Sequence, residues 1–64
     1  MAKSEAYLMN ELRVIARNWN TSIYDVARGF IQDYYEWEFD KQLWAERLPD
    51  DEAIKEYFKI KSNS

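Results

Sequence analysis

The chain has 64 residues, with nine Lys or Arg against twelve Asp or Glu, and neither His nor Cys. A chain of this length forms one domain at most and buries only about 60% of the surface its unfolded form exposes, so its stability is marginal unless a disulfide, a metal or a partner chain contributes. Without cysteine there are no disulfides, thiolate metal sites or Cys nucleophiles; without histidine the commonest general base and metal ligand is gone; and the formal charge of −3 argues against a general nucleic-acid coat and for a basic partner.

One Gly (Gly29) and one Pro (Pro49) are too few for a strand-and-turn protein, and the chain reads as all-α. A first helix is expected over about 4–19. Ser4 is its cap, and Leu8, Leu12, Ile15, Ala16 and Trp19 recur at helical spacing as one apolar stripe. Residues 18–21, Asn-Trp-Asn-Thr, form a polar break. Ser22 followed three residues later by Asp25 has the form of a capping box, with Asp in the place of the usual Glu or Gln.

The second helix then has no stop before Pro49 and is expected over about 22–48. Its stripe is Ile23, Val26, Ala27, Phe30, Ile31 and Tyr34, continuing through Trp37 and Trp44 to Leu48. At 1.5 Å per residue it would be roughly 40 Å long, more than the first helix can cover. Its C-terminal half must therefore fray, bend or pack on another chain. Gly29 in its middle costs about 1 kcal/mol against Ala, which a close helix crossing at that point would explain.

Pro49 ends the long helix, and Asp50 or Asp51 is expected to cap a short third one over about 51–60. Ile54, Tyr57 and Phe58 share a face of it, and Lys59 and Lys61 suit the negative end of its dipole. Residues 62–64 read as a frayed tail, and 1–64 as a single helical domain. The N-terminal stretch has no long apolar core and no run approaches 18 apolar residues. The expectation is a soluble, cytoplasmic protein with no membrane span.

Charge is distributed unevenly. Residues 1–31 carry four basic and three acidic side chains, and residues 32–64 carry five and nine. The acidic half also holds the aromatic surplus. Three Trp, five Tyr and three Phe make 17% of the chain, more than one small core needs. Acidic residues beside aromatic surface are what a binder of a basic protein would carry.

Within that half, Glu36, Glu38 and Asp40 form an acidic cluster, with Asp33 a turn before Glu36. Carboxylates so placed could hold a hard cation, but no turn or glycine builds a coordination loop. A solvated acidic face or a contact for a basic protein is the expectation, with no metal and no cofactor. Trp37, Phe39, Leu43, Trp44 and Leu48 make the segment apolar on two sides. The plain reading is the core of a small bundle; the functional one is a partner interface, either a homodimer core or a heterologous partner site. Near the second helix start, Thr21 and Ser22 could bind phosphate through hydroxyls and backbone N–H groups, although a plain helix cap is the commoner use. Arg13, Arg17 and Arg28 could extend such a footprint, or serve as solubilising charges on exposed faces. No spacing arranges carboxylates, Ser, Tyr or Lys for catalysis, so an enzyme is not expected.

Residues 4–36, SEAYLMNELRVIARNWNTSIYDVARGFIQDYYE, resemble the two-helix part of ribbon-helix-helix proteins. The matching features are Leu8, Leu12, Ile15 and Ala16, then the break NWNTS, then Ile23, Val26, Arg28 and Ile31. The continuation YYEWEFDKQLWAERLPDDEA is similar to the acidic, aromatic extension of ribbon-helix-helix antitoxins. The resemblance covers about residues 4–48. It implies a dimer whose extension wraps a toxin and masks its basic surface. The family also places a β-strand before the first helix and inserts the paired strands into the DNA major groove; here only Met1, Ala2 and Lys3 precede Ser4.

Three functional expectations follow. The first is a module of antitoxin type, a homo-oligomer that masks a basic partner with Tyr34, Glu36, Trp37, Phe39, Asp40, Leu43, Trp44, Leu48, Ile54, Tyr57 and Phe58. The second is a small accessory or phage-type protein that inhibits another host protein through the same surface. The third, disfavoured by charge, is a dimeric DNA-binding repressor that uses Lys3, Thr21 and Ser22.

Overall fold

The computed structural model describes residues 4–63. They form four α-helices and no strand: α1 Glu5–Trp19, α2 Ile23–Tyr34, α3 Phe39–Glu46 and α4 Asp50–Ser62. The described residues are all-α as expected, but the arrangement of two main helices and a short third is corrected. The helix expected over 22–48 is two helices, α2 and α3. The C-terminal helix is 13 residues long, comparable to α2 at 12. Of the expected tail, Ser62 completes α4 and Asn63 is its cap. Met1 to Lys3 and Ser64 lie outside the described residues, and with them the question of a strand before Ser4.

Local chemistry accounts for the first break. Ser4 caps α1, its Oγ accepting from the Tyr7 N–H at 3.2 Å. Asn20 ends the helix in the left-handed region (φ 55°), which Asn tolerates better than most side chains. There the Thr21 N–H donates to the Ala16 carbonyl at 2.9 Å and the Asn20 N–H to the Arg17 carbonyl at 3.2 Å, a Schellman closure. Ser22 then caps α2, its Oγ accepting from the Asp25 N–H at 3.1 Å.

The second break has no such signal. The chain leaves α2 at Tyr35 and re-enters a helix at Phe39, and Glu38 at the N-cap gives no side-chain hydrogen bond. Glutamine side chains tie the turn instead. Gln42 Nε2 donates to the Glu36 carbonyl at 2.9 Å, and Gln32 Nε2 to the Gln42 carbonyl at 3.4 Å. The bend turns α3 back so that Ala45 and Leu48 reach the core. At the start of α4, Pro49 occupies the N-cap position expected for an aspartate. Asp50, Asp51 and Glu52 fill the first turn, where acidic groups suit the dipole.

Helix α2 is central and packs against α1, α3 and α4. The core joins Leu8 and Leu12 of α1, Ala27 and Ile31 of α2, Ala45 of α3, Leu48, and Ala53, Ile54, Tyr57 and Ile60 of α4. Three of these are fully buried alanines, Ala27, Ala45 and Ala53, and such small side chains allow close packing of helices. Gly29 does not have this role. A methyl group in place of its hydrogen would meet no atom of a neighbouring element within 4 Å, so the expected close crossing is absent there. Trp19, expected on the buried stripe of α1, is 77% exposed.

Two polar ties close the bundle. Arg28 on α2, with its side chain 19% exposed, donates from Nε to the Leu48 carbonyl at 2.9 Å and pairs with Asp25 at 3.0 Å and with Asp50. It is a clasp that fixes the α3–α4 connection onto α2, not a free surface charge. On the other side, the Tyr57 hydroxyl and the Lys61 ammonium both reach Glu11 Oε1, at 3.0 and 3.3 Å. The Phe30 ring meets Tyr57 edge-on at 5.1 Å and lies under the Lys61 ammonium at 4.7 Å. Burial, and then the Glu11 carboxylate, push the Tyr57 hydroxyl far above the ordinary tyrosine range.

Candidate functional site

The bend between α2 and α3 presents a corner of aromatic and acidic residues. Trp37 is 91% exposed and Phe39 is 70% exposed. Tyr34, Leu43 and Trp44 add partly exposed apolar surface. Glu36, Glu38 and Asp40 are exposed among them. Exposure has a geometric origin. Trp37 lies within the turn, and Phe39 opens the first turn of α3, before that helix reaches the core at Ala45.

Part of the corner is tied by contacts between its own side chains. Tyr34 and Tyr35 meet edge-to-face at 4.9 Å, and Tyr35 meets Trp44 at 6.4 Å. The Lys41 ammonium lies 5.5 Å from the Tyr35 ring and 5.3 Å from the Trp44 ring. Each such contact at an exposed site is worth about 0.5–1 kcal/mol. Burial, followed by the charges of Glu56 and the groups at Tyr34 and Glu38, raises the Tyr35 hydroxyl above its usual value. Trp44, Leu43 and Asp40 also line a shallow depression with Arg47, Leu48 and Pro49.

The surface expected from Tyr34 through Phe58 is therefore divided. Tyr34, Glu36, Trp37, Phe39, Asp40, Leu43 and Trp44 are brought together at the corner. Leu48, Ile54 and Tyr57 are buried in the core, and Phe58 is partly buried against it. They face inward because α4 packs on α2, so the partner surface assigned to them is corrected to core. Tyr35 and Lys41 belong to the corner although the sequence reading omitted both.

The Thr21–Ser22 site is satisfied from within. Ser22 is occupied as a cap, and the Thr21 hydroxyl approaches Asp25 Oδ2 at 3.4 Å. A carboxylate thus stands at this helix N-terminus, where a bound phosphate would need positive charge. Lys3 lies outside the described residues. Among the described residues, no group of three or more acidic side chains converges as a metal site would require. No helix there is long and apolar enough to cross a membrane.

A second depression, about 400 Å³ in volume, runs between α1 and α2. It is lined by Ile15, Trp19, Thr21, Asp25, Val26, Gly29, Phe30 and Asp33. No catalytic grouping is assembled in it: its titratable side chains are the two aspartates. Comparison of the chain with protein-family models, with curated proteins and with solved structures found no match.

Proposed function

We propose that this chain is a protein-binding module that recognises a basic partner through the α2–α3 corner and masks its surface in the manner of an antitoxin. The observation that carries this reading is the exposure of Trp37 and Phe39 beside Glu36, Glu38 and Asp40. Large aromatic side chains left in water forfeit the free energy of burial, about 1.5–3 kcal/mol for a Phe-sized group. Trp and Tyr are also the side chains that most often dominate interfaces. The carboxylates around them would steer a cationic surface to the site and speed encounter.

This reading gives the extension a smaller contact surface than a fully wrapping antitoxin segment would have. Helices α3 and α4 fold back on α2, and the contact is confined to the corner. The protein is expected in the cytoplasm, free of cofactors, and either paired with a second copy through the aromatic corner or held in a hetero-complex there. The repressor alternative has less support because Asp25 holds the helix end that a phosphate would occupy.

The test is affinity purification of the wild-type chain and a Trp37→Ala/Phe39→Ala variant from the native host. A basic protein retained by the wild type and lost by a folded variant is expected. Its coding frame beside that of this chain would identify a toxin, whereas a frame elsewhere would make this an accessory inhibitor. Equal retention of every protein by both chains would end the reading.

A further inference from the structure

The α1–α2 depression has a floor that the fold itself does not explain. Gly29 costs helix stability in the interior of α2, yet no neighbouring element approaches it within 4 Å. Around it stand apolar walls from Ile15 and Trp19 of α1 and from Phe30 of α2. Trp19 is 77% exposed on the rim. None of these residues belongs to the α2–α3 corner, so this groove stands independently of the function proposed above.

We infer that the groove between α1 and α2 is a second docking site, which takes a helical segment of a partner protein carrying an apolar stripe and two Lys or Arg about two turns apart. Charge selects this occupant. Asp25, Gly29 and Asp33 follow one another at i, i+4 and i+8, so they share a face of α2 with the carboxylates about 12 Å apart along the axis. Asp33 has no ion-pair partner among the described residues, and Asp25 with Asp50 outnumbers the Arg28 they share. The Lys61 ammonium over the Phe30 ring is offset by Glu11 at 3.3 Å. The groove is therefore apolar along its floor, with the Asp33 carboxylate at one end and, at the other, the Asp25 carboxylate shared with Arg28 and Thr21.

A second copy of the chain fits less well. Antiparallel crossing at Gly29 would set Asp25 of each copy against Asp33 of the other, and parallel crossing would set like residues face to face. Both place like charges together, which an interface disfavours. A partner helix with cations at those positions reverses the sign. Gly29 then serves as the point where the two backbones come close, the role that no helix of this chain fulfils.

The experiment titrates the ¹⁵N-labelled full chain with an amphipathic peptide of about 15 residues, the length an isolated helix needs, bearing a Leu stripe and two Lys eight residues apart. A control peptide carries Glu at those two positions. Expected are shifts at the Ile15, Val26 and Gly29 amides and the Trp19 indole below about 1 mM peptide, with about tenfold weaker binding of the Glu control. Gly29→Leu should remove binding while circular dichroism shows the helices retained. Trp19→Ala and Asp33→Lys, at exposed rim positions, test the same groove if the floor variant does not fold, and each should weaken binding severalfold. The inference is overturned if the Lys peptide does not bind, if the Glu peptide binds equally, if the shifts centre on Trp37 and Phe39, or if folded rim variants bind unchanged. It is equally overturned if sedimentation shows a dimer that the rim or floor variants dissolve, since the occupant would then be a second copy.

Discussion

The Tyr57 hydroxyl on α4 donates to Glu11 Oε1 on α1 at 3.0 Å, joining residues 46 positions apart in the chain. The phenol is buried and its proton acceptor is a carboxylate, so the contact opposes ionisation of the tyrosine in the folded state. Tyr57→Phe keeps the ring and its packing against Phe30 and removes only this bond. It should cost about 1–2 kcal/mol, toward the lower end for a bond to a charged group because Glu11 keeps Lys61. Urea denaturation near neutral pH measures it.

The same contact fixes the alkaline behaviour. Folding raises the Tyr57 pKa above its ordinary value of 10.0. Below that value both states hold the proton and the contribution to stability is complete. Above it the unfolded chain loses the proton first, and the contribution declines until the folded phenol also titrates. Tyr35 is shifted in the same direction by burial and nearby acidic groups and adds to the loss. The wild type should therefore lose stability from about pH 10 upward, and Tyr57→Phe should show a shallower decline. Denaturation midpoints across that range provide the comparison.

Arg28 should be the most sensitive charged position. Its guanidinium serves a backbone carbonyl and two carboxylates, with Nε on Leu48 at 2.9 Å. Arg28→Ala should cost about 1–3 kcal/mol, since it leaves the Leu48 carbonyl without its donor and loosens the α3–α4 connection. Arg28→Lys should recover only part of the loss, because an ammonium cannot reproduce the fork. Asp50→Asn, at an exposed carboxylate, should cost less than either. A larger loss for Asp50→Asn would show that the charge pair, and not the carbonyl bond, secures the connection.

Gly29→Ala should raise stability by up to about 1 kcal/mol. The alanine methyl meets nothing beyond its own helix, and helix propensity favours it. A higher thermal midpoint is the expected result. A lower one would mean that α2 needs glycine for its own geometry.

Sequence legibility followed local chemistry. Ser4 and Ser22 are helix caps whose function depends on residues three positions away, and both were readable. The break at 35–38 was not, because neither Gly nor Pro stands there and each residue is acceptable in a helix. What bends the chain is tertiary: Ala45 and Leu48 gain burial, and Gln32 and Gln42 bind carbonyls across the turn. Only the excessive length of a continuous helix hinted at it. The candidate site was legible to the same degree. Composition indicated an acidic, aromatic half, but only the packing of α4 on α2 separated Trp37 and Phe39, left outside, from Ile54 and Tyr57, drawn in. Gly29 signals a close helix crossing in the sequence, but no neighbouring element comes within 4 Å of it, so the spacing alone does not reveal the open depression beside it.

Trp37 and Trp44 should separate recognition from folding. Trp37 is 91% exposed, so Trp37→Ala should change stability by no more than about 0.5 kcal/mol. Trp44 is 41% exposed and is engaged by Tyr35 and Lys41, so Trp44→Ala should cost about 1 kcal/mol or more. Against the proposed basic partner the order changes. Trp37→Ala should weaken binding by about 2 kcal/mol or more if it is a dominant anchor, chiefly through faster dissociation. Charge reversal at Glu36 or Asp40 should act differently, slowing association and reducing its dependence on salt. Surface plasmon resonance at two salt concentrations, with circular dichroism of each variant, separates these effects. Unchanged dissociation for a folded Trp37→Ala chain would remove the corner from the interface and leave its aromatic exposure without a binding role.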